Sequence, residues 1–423
     1  MSRPRPAVDP SRRAPRGARA DDVLAAAAEL FERSGYSATT MAQIGQAVGV
    51  LPGSLYHHFD SKEAIAIRLL ERYDIALEDA ARSPAPGVDA PADEPLRSLI
   101  TGVVMASCAH AAAVRLRARE APSAATARLR DALQHDSRLL DAAWDAAVAA
   151  AAPEQAGTQE ARLFTFAVRR MAMAAPLYHL HADPVVLAGS LAEILLRGVS
   201  VGGIDESEID GSEAARAVRE TTAKWEDPSA VPDSHGAILA AARREFARRG
   251  FDATTMRDIG EAAGIPLGTV YRRFSGKEAI LREIIDAFAI RLDGGVRAAL
   301  MTGSSEIAAL SALAFVLVKG RRCFPEESEI LSLGWGERER GDSPLHEYFL
   351  QTDTRFGLLA DTVARGVAAG SLRRVADPHL VAGIVRQLCW QPYPRTASVD
   401  DAHRFARGIL LRGYAPGAAS EAS

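Results

Sequence analysis

An all-α fold, built twice along one chain, is what the 423 residues predict. Three observations carry this expectation. From Thr39 to Ile65 the chain reads TTMAQIGQAVGVLPGSLYHHFDSKEAI, and 215 residues later, from Thr254 to Ile280, it reads TTMRDIGEAAGIPLGTVYRRFSGKEAI without a gap. About half of these positions match, far more than two unrelated helical segments would share. The run ILLRG, from Ile194 to Gly198, recurs from Ile409 to Gly413 at the same offset of 215, so register is kept to the end of each half. Between these landmarks apolar residues fall at spacings of three and four with few β-branched runs, and nothing asks for a sheet.

Residues 1–20 hold six arginines and one aspartate among prolines, and read as a flexible basic arm. A first helix is expected from Asp21 to Ser34, with acidic residues at its positive end and Leu24, Ala27, Ala28 and Phe31 as its inward stripe. Thr40 caps a second helix of two turns, which Gly49 ends in the left-handed conformation. A short third helix follows in LPGSLYHHF, turning Leu55 and Phe59 inward and leaving Ser54, Tyr56, His57 and His58 outside. A fourth starts near Ser61 and continues through Ile65, Leu69 and Leu70 toward Leu77 as a strut between this unit and a core. After a proline-rich break at 81–95, helical patterns occupy 96–119, 123–152, 158–180 and 184–199. Residues 202–233 carry nine Asp/Glu against three Lys/Arg and form an acidic linker, with room for a short helix near Ser212 to Lys224. The second half repeats the plan. Thr255 is the cap, Gly264 the stop, and Thr269, Tyr271, Arg272 and Arg273 are the outward groups of PLGTVYRRF. Core helices then run from Glu306 to Gly366, Asp377-Pro378 opens another, and Asp400 to Arg412 is the last. The domains expected are the arm at 1–20, a helix-turn-helix unit at 21–70, a core at 71–201, the linker at 202–233, a second helix-turn-helix unit at 234–287, a second core at 288–415 and a tail at 416–423.

A short helix whose free face holds only hydroxyl, phenol, imidazole or guanidinium groups, braced by a glycine turn, suits insertion into a DNA major groove. These segments resemble the DNA-binding domain of the TetR family of bacterial transcriptional regulators. Phe31, Gly35, Thr40, Ile44, Gly49, Gly53, Tyr56, Phe59, Lys62 and Glu63 fill that family's pattern, and their counterparts, including Gly268 and Lys277, fill it again. Leu51-Pro52 and Pro266-Leu267 stand where the family usually has serine or threonine, so the common hydroxyl at the helix start is missing. Over most of its length the chain looks like two fused TetR subunits. The resemblance implies a ligand pocket among the core helices and a pairing surface built by the last two helices of each half. Double TetR proteins of actinobacteria include regulators of lipid and sterol uptake genes, which implies an apolar small-molecule effector.

Charge places a condition on this reading. The net charge of −4 excludes a generally basic coat, so DNA binding has to depend on local charge. Residues 21–71 hold three Lys/Arg against seven Asp/Glu, whereas 236–286 hold nine against seven. The first reader is thus the poorer polyanion binder, and the basic arm is expected to offset the deficit. Phe164, Tyr178, Phe315, Trp335, Tyr348 and Phe356 are candidate lining residues for the effector pocket. His179, His181 and Asp183 form an HxHxD that is better explained by Asp183-Pro184 opening a helix than by metal binding. Cys108, Cys323 and Cys389 lack metal-ligand spacing and read as buried thiols. No nucleophile elbow, zinc-protease signature, P-loop or dinucleotide fingerprint is present, so neither an enzyme nor a cofactor is expected. With no apolar run of membrane-spanning length and no secretory leader, the expected place is the cytoplasm. The partners expected are a double-stranded DNA operator and the apolar effector. The two halves are expected to pair as an intramolecular pseudo-dimer, with room for further self-association. The alternative is a ligand-binding or protein-interaction module that keeps the fold without binding DNA.

Overall fold

Many of the helix starts are set by side-chain caps. In the computed structural model, which describes residues 16–50, 52–82, 90–119, 126–226, 233–334 and 343–415, eleven α-helices precede the acidic region. They are α1 (Arg16–Ser34), α2 (Met41–Ala47), α3 (Pro52–Tyr56), α4 (Lys62–Ala81), α5 (Glu94–Ala109), α6 (Ala111–Arg119), α7 (Ala127–Leu133), α8 (Arg138–Ala151), α9 (Gln159–Met173), α10 (Ala175–Tyr178) and α11 (Pro184–Arg197). Thr40, Ser61, Thr126, Ser137, Thr158 and Asp183 each accept a backbone N–H of the turn they open. The first helix begins five residues earlier than the composition of the arm suggests, so Arg16 and Arg19 belong to α1, and residues 1–15 lie outside the described residues. The patterns expected as single stretches at 96–119 and 123–152 are each broken in two. The chain turns by 89° between α5 and α6 at His110. Periodicity sees the apolar face of both pieces and is blind to such a corner.

The acidic region is not a free linker. It forms α12 (Glu206–Asp210) and α13 (Glu213–Thr222), capped by Asp205 and Ser212. Ala214, Val218 and Thr222 of α13 are buried, and the helix packs on α17 (Lys277–Leu300) and α18 (Glu306–Cys323) of the second half. The Trp225 ring follows onto Phe324 at 5.3 Å, entering where Gly295 and Gly320 leave space. Glu206 and Asp210 of α12 pair with Arg407 at 3.2 and 2.6 Å, and Glu206 also with Arg412 at 2.6 Å. The acidic character that marks a solvated linker in sequence is here spent on basic residues of the last helix.

The second half consists of α14 (Ser234–Arg249), α15 (Met256–Ala263), α16 (Leu267–Arg273), α17, α18, α19 (Pro325–Gly334), α20 (His346–Ala369), α21 (Pro378–Cys389) and α22 (Val399–Arg412). Gly370 ends α20 in the left-handed conformation, and Asp377 caps α21 as the sequence predicts. No strand occurs among the described residues, and Ser200 and Leu372 form an isolated antiparallel bridge. No single described helix is long and apolar enough to cross a membrane.

The halves meet through their last helices, with α11 on α22 and on α21, and α9 on α21. At the centre the repeated ILLRG endings cross. Val199 N–H donates to Leu410 O (2.8 Å) and Ser200 N–H to Leu411 O (3.1 Å); 215 residues on, Tyr414 N–H donates to Leu195 O (2.9 Å) and Ala415 N–H to Leu196 O (3.1 Å). A Cβ at Gly198 would lie 2.3 Å from Leu411 O, and one at Gly413 would lie 2.3 Å from Leu196 O. Both glycines have positive φ, 65° and 80°, so conformation and space each require glycine.

Candidate nucleic-acid interface and effector cavity

Each reader is built by the same interior bonds. Thr40 and Thr255 close capping boxes, with Gln43 in the first copy and Asp258 in the second. Hydrogen bonds from Thr255, and Arg249 close by, hold the Asp258 carboxyl below the usual range. Gly49 and Gly264 both take φ of 67° after the second helix, and Val50 and Ile265 then bond back to Gly45 O and Gly260 O at 2.9 Å. Buried Leu55 and Val270 anchor the recognition helices α3 and α16 on this turn. As the proline-leucine pairs foretell, the start of α16 has no side-chain cap; Thr269 N–H bonds to Pro266 O at 2.8 Å instead.

The outward groups are where the spacing predicts. Tyr56 and Tyr271 are 51% and 55% exposed, large for aromatic rings, and His57, Arg272 and Arg273 are exposed beside them. Ser54, His58 and Thr269 are half-buried at the rim. Thr269 Oγ1 accepts Arg272 Nη2 at 2.8 Å, so that guanidinium is held along the helix before any contact. Gly53 and Gly268 are exposed, and a Cβ at either would meet nothing within 4 Å. Nothing inside the fold asks for glycine there, and both leave bare backbone at the surface. His57 and His58 lie beyond the end of α3, whereas Arg272 and Arg273 are within α16.

Two residues of the family pattern serve the fold instead. Lys62 Nζ donates to Tyr36 O (2.6 Å) and Thr39 O (2.8 Å) and sits 4.3 Å from the centre of the Tyr36 ring. Lys277 Nζ donates to Phe251 O (2.9 Å) and Asp252 O (3.1 Å), 4.4 Å from the Phe251 ring. These ammonium groups staple the fourth helix of each unit to the loop before the second. Thr39 and Thr254, which sequence reasoning passed over, support the same loops. Both are buried and donate to Gly35 O and Gly250 O at 2.8 Å. The doublet TT in both repeats was the available signal, since one threonine caps and the other ties.

A cavity of about 430 Å³ opens at the seam between the halves. Of the expected lining residues, Tyr178 of α10 and Tyr348 and Phe356 of α20 are in its wall. Phe164 is not; it is fully buried and stacked on Tyr414 at 3.9 Å, where the last turn of one half covers the other. Phe315 faces a different cavity, of about 460 Å³, beside His403. Trp335 lies outside the described residues. The pocket expected among the core helices of one half is therefore walled by both, including Tyr73 of α4 and Leu292 of α17. Sequence reasoning also missed its arginines, Arg117, Arg170, Arg321, Arg355 and Arg386. Arg170 and Arg386 interrupt apolar stretches, FTFAVRRMAM and AGIVRQLCW, and that interruption was the legible cue.

His179 of the HxHxD faces the other half rather than a metal. Its Nε2 lies 3.1 Å from Gln387 Oε1, its ring lies against Gly383, and burial pushes its pKa down to about 4. No cluster able to hold a metal occurs among the described residues. Asp183 accepts the N–H groups of Val185 and Val186, which is the helix-opening role expected of it.

Comparison with known proteins agrees with this construction. A family model described as bacterial regulatory proteins, tetR family, matches residues 23–69 and 238–284, the two readers. The HTH-type transcriptional repressor KstR2 of Mycolicibacterium smegmatis is 30% identical over 172 residues, covering 38% of this chain and 79% of that repressor. The repressor of the same name from Rhodococcus jostii is 38% identical over 171 residues, covering 39% of this chain and 80% of its own. A solved structure, that of the ketosteroid transcriptional regulator KstR2 of Mycobacterium tuberculosis, is similar at 22% identity and a TM-score of 0.39, over 43% of this chain and 93% of that one. Each relative spans less than half of this chain, while the reader occurs in both halves. The chain is a DNA-binding transcriptional regulator that belongs to the TetR family and carries the family's reader twice.

Proposed function

We propose that one chain acts as a repressor on a non-palindromic operator, reading it with two unlike recognition helices, and is released when an apolar small molecule enters the seam cavity. The observation that carries this reading is the inequality of two readers built on the same caps and turns. Tyr56 and His57 are presented on one side, and Tyr271, Arg272 and Arg273 on the other, in one chain whose last helices pair. A dimer of identical subunits presents identical groups and selects a palindrome. Arginine can grip guanine with two hydrogen bonds, worth about 1–3 kcal/mol of discrimination, which neutral histidine cannot match. The second half-site should therefore carry the stricter sequence demand. That relatives are named repressors supports the sign of regulation. Residues 1–15, with four of the arm's arginines, supply charge beside the acidic first reader.

The test is a gel shift of the full chain with the DNA flanking its own gene, followed by footprinting and substitution of each base pair in turn. One chain per site is expected, with changes under the second reader costing about tenfold or more each. A symmetric site with equal demands in both halves, or two chains obligatory on the DNA, would refute the proposal.

A further inference from the structure

The wall of the seam cavity is mostly apolar, yet five guanidinium groups line it against one lining carboxylate, Glu329. Two are answered. Arg321 pairs with Glu329 at 2.7 Å, and Arg117 pairs with Asp74 behind the wall. The other three lie against rings. Arg386 is held between Tyr178 and Phe356, 4.9 and 5.1 Å from their centres; Arg170 lies over Phe166 at 5.5 Å and Arg355 over Tyr348 at 5.3 Å. Arg170 comes from the first half and keeps much of its side chain exposed. Arg355 is the most enclosed, only 6% exposed. Its Nη2 donates to Thr352 Oγ1 at 2.9 Å, while its Nη1 is buried with no hydrogen-bond partner among the described residues.

Stacking on Tyr348 uses the face of the Arg355 guanidinium and leaves its Nη1 edge unanswered among the described residues. A buried N–H edge that carries positive charge is expensive unless something negative meets it, and an oxygen pair in the guanidinium plane meets it best. A neutral hydrocarbon would fill the apolar wall and leave that edge as it is. A cation would add to the surplus.

We propose that the cavity takes one small amphiphilic carboxylic acid per chain, its carboxylate on the Arg355 edge and its apolar body among the rings of Tyr178, Tyr348 and Phe356. This names the chemical class of the effector and rests on the ligand-released reading above. The wall includes Tyr73 of α4 and Leu292 of α17, the two struts that lead to the readers. One acid at the seam thus bears on both recognition helices. A ligand shifts a conformational balance only by its difference in affinity for the two states, and this position lets a single molecule express that difference on both struts.

Isothermal titration of the full chain with decanoate, 1-decanol and decyltrimethylammonium tests the proposal without DNA. Decanoate is expected to bind once per chain and at least about tenfold more tightly than decanol, with the ammonium compound weakest. Arg355→Met, which keeps the length of the stem, is expected to lower decanoate affinity about tenfold and leave decanol unchanged. Should that variant fold poorly, Arg170→Met, on the other wall, is expected to shift the decanoate preference in the same direction. No binding of decanoate, equal binding of acid and alcohol, two acids per chain, or a folded Arg355→Met variant with unaltered preference would each overturn it. A gel shift in the presence of decanoate separates the two readings. If decanoate binds through Arg355 and the DNA complex survives, the site stands and the ligand-released function falls.

Discussion

His179 and His403 are half-buried imidazoles that contribute to the fold as neutral groups. His179 bonds to Gln387 across the seam, and His403 Nε2 lies 3.0 Å from Ser311 O. Burial, the dominant cause in each, pushes both pKa values from 6.5 down to about 4. Between those values the unfolded chain takes up protons that the folded chain refuses, so stability is full above about pH 6.5 and falls as pH drops toward 4. The loss should reach on the order of 3 kcal/mol per imidazole at the acid end. Denaturant midpoints at about pH 7.5 and about pH 5 check this. A clear drop is expected at the lower pH, reduced in His179→Asn, and a flat profile in the parent chain would contradict it. At this scale the sequence was legible wherever a residue has a local duty. Caps, helix stops and outward reader groups follow from neighbours within four positions. Phe164 was misread because its partner, Tyr414, is 250 positions away, and the bracing of Lys62 and Lys277 went unseen because Tyr36 and Phe251 lie 26 positions back.

Among the elements, α13 lies where a short helix is expected, but its burial against the second half departs from a linker reading. Composition marks residues 202–233 as solvated, and net acidity is a sound guide to a linker when no basic partner is near. Arg407 and Arg412 are about 200 residues away and reverse that conclusion. The buried face of α13 and the Trp225 ring give the region a packing energy of its own. Trp225→Ala removes a half-buried indole from between Gly295 and Gly320 and should cost about 2–3 kcal/mol. Melting followed by circular dichroism is expected to show the midpoint lower by several degrees, with helix content retained at low temperature. A midpoint identical to that of the parent would mean the strap is not held. The corner at His110, by contrast, was out of reach of pattern reading, since both α5 and α6 keep the helical period and only packing on α1 and α4 decides where the chain turns.

At the level of the whole molecule, the repeat period of 215 residues was the most informative single observation. It foretold two readers in register and two matching last helices. It did not foretell a cavity shared between halves, because a repeat describes each copy separately and a seam belongs to neither. The pairing of α9, α11, α21 and α22 within one chain also sets how the protein should melt. An assembly of two chains gains stability with concentration, whereas a tethered pair does not. The midpoint is expected to stay constant from about 1 to about 100 μM, and a steady rise over that range would show that two chains are needed.

In an assembly of identical subunits every codon change lands on both sides at once, and a gain on one side must be tolerated on the other. Where the endings cross at Gly198 and Gly413, this gene spells the same five residues twice. A few turns away it does not. Arg170 stands at the position that Val385 fills in the other copy, and Met171 at the position of Arg386. With the halves held together by their crossed endings, each codon is expressed in one place only, and an arginine could be tried in one wall of the cavity without being forced on the other.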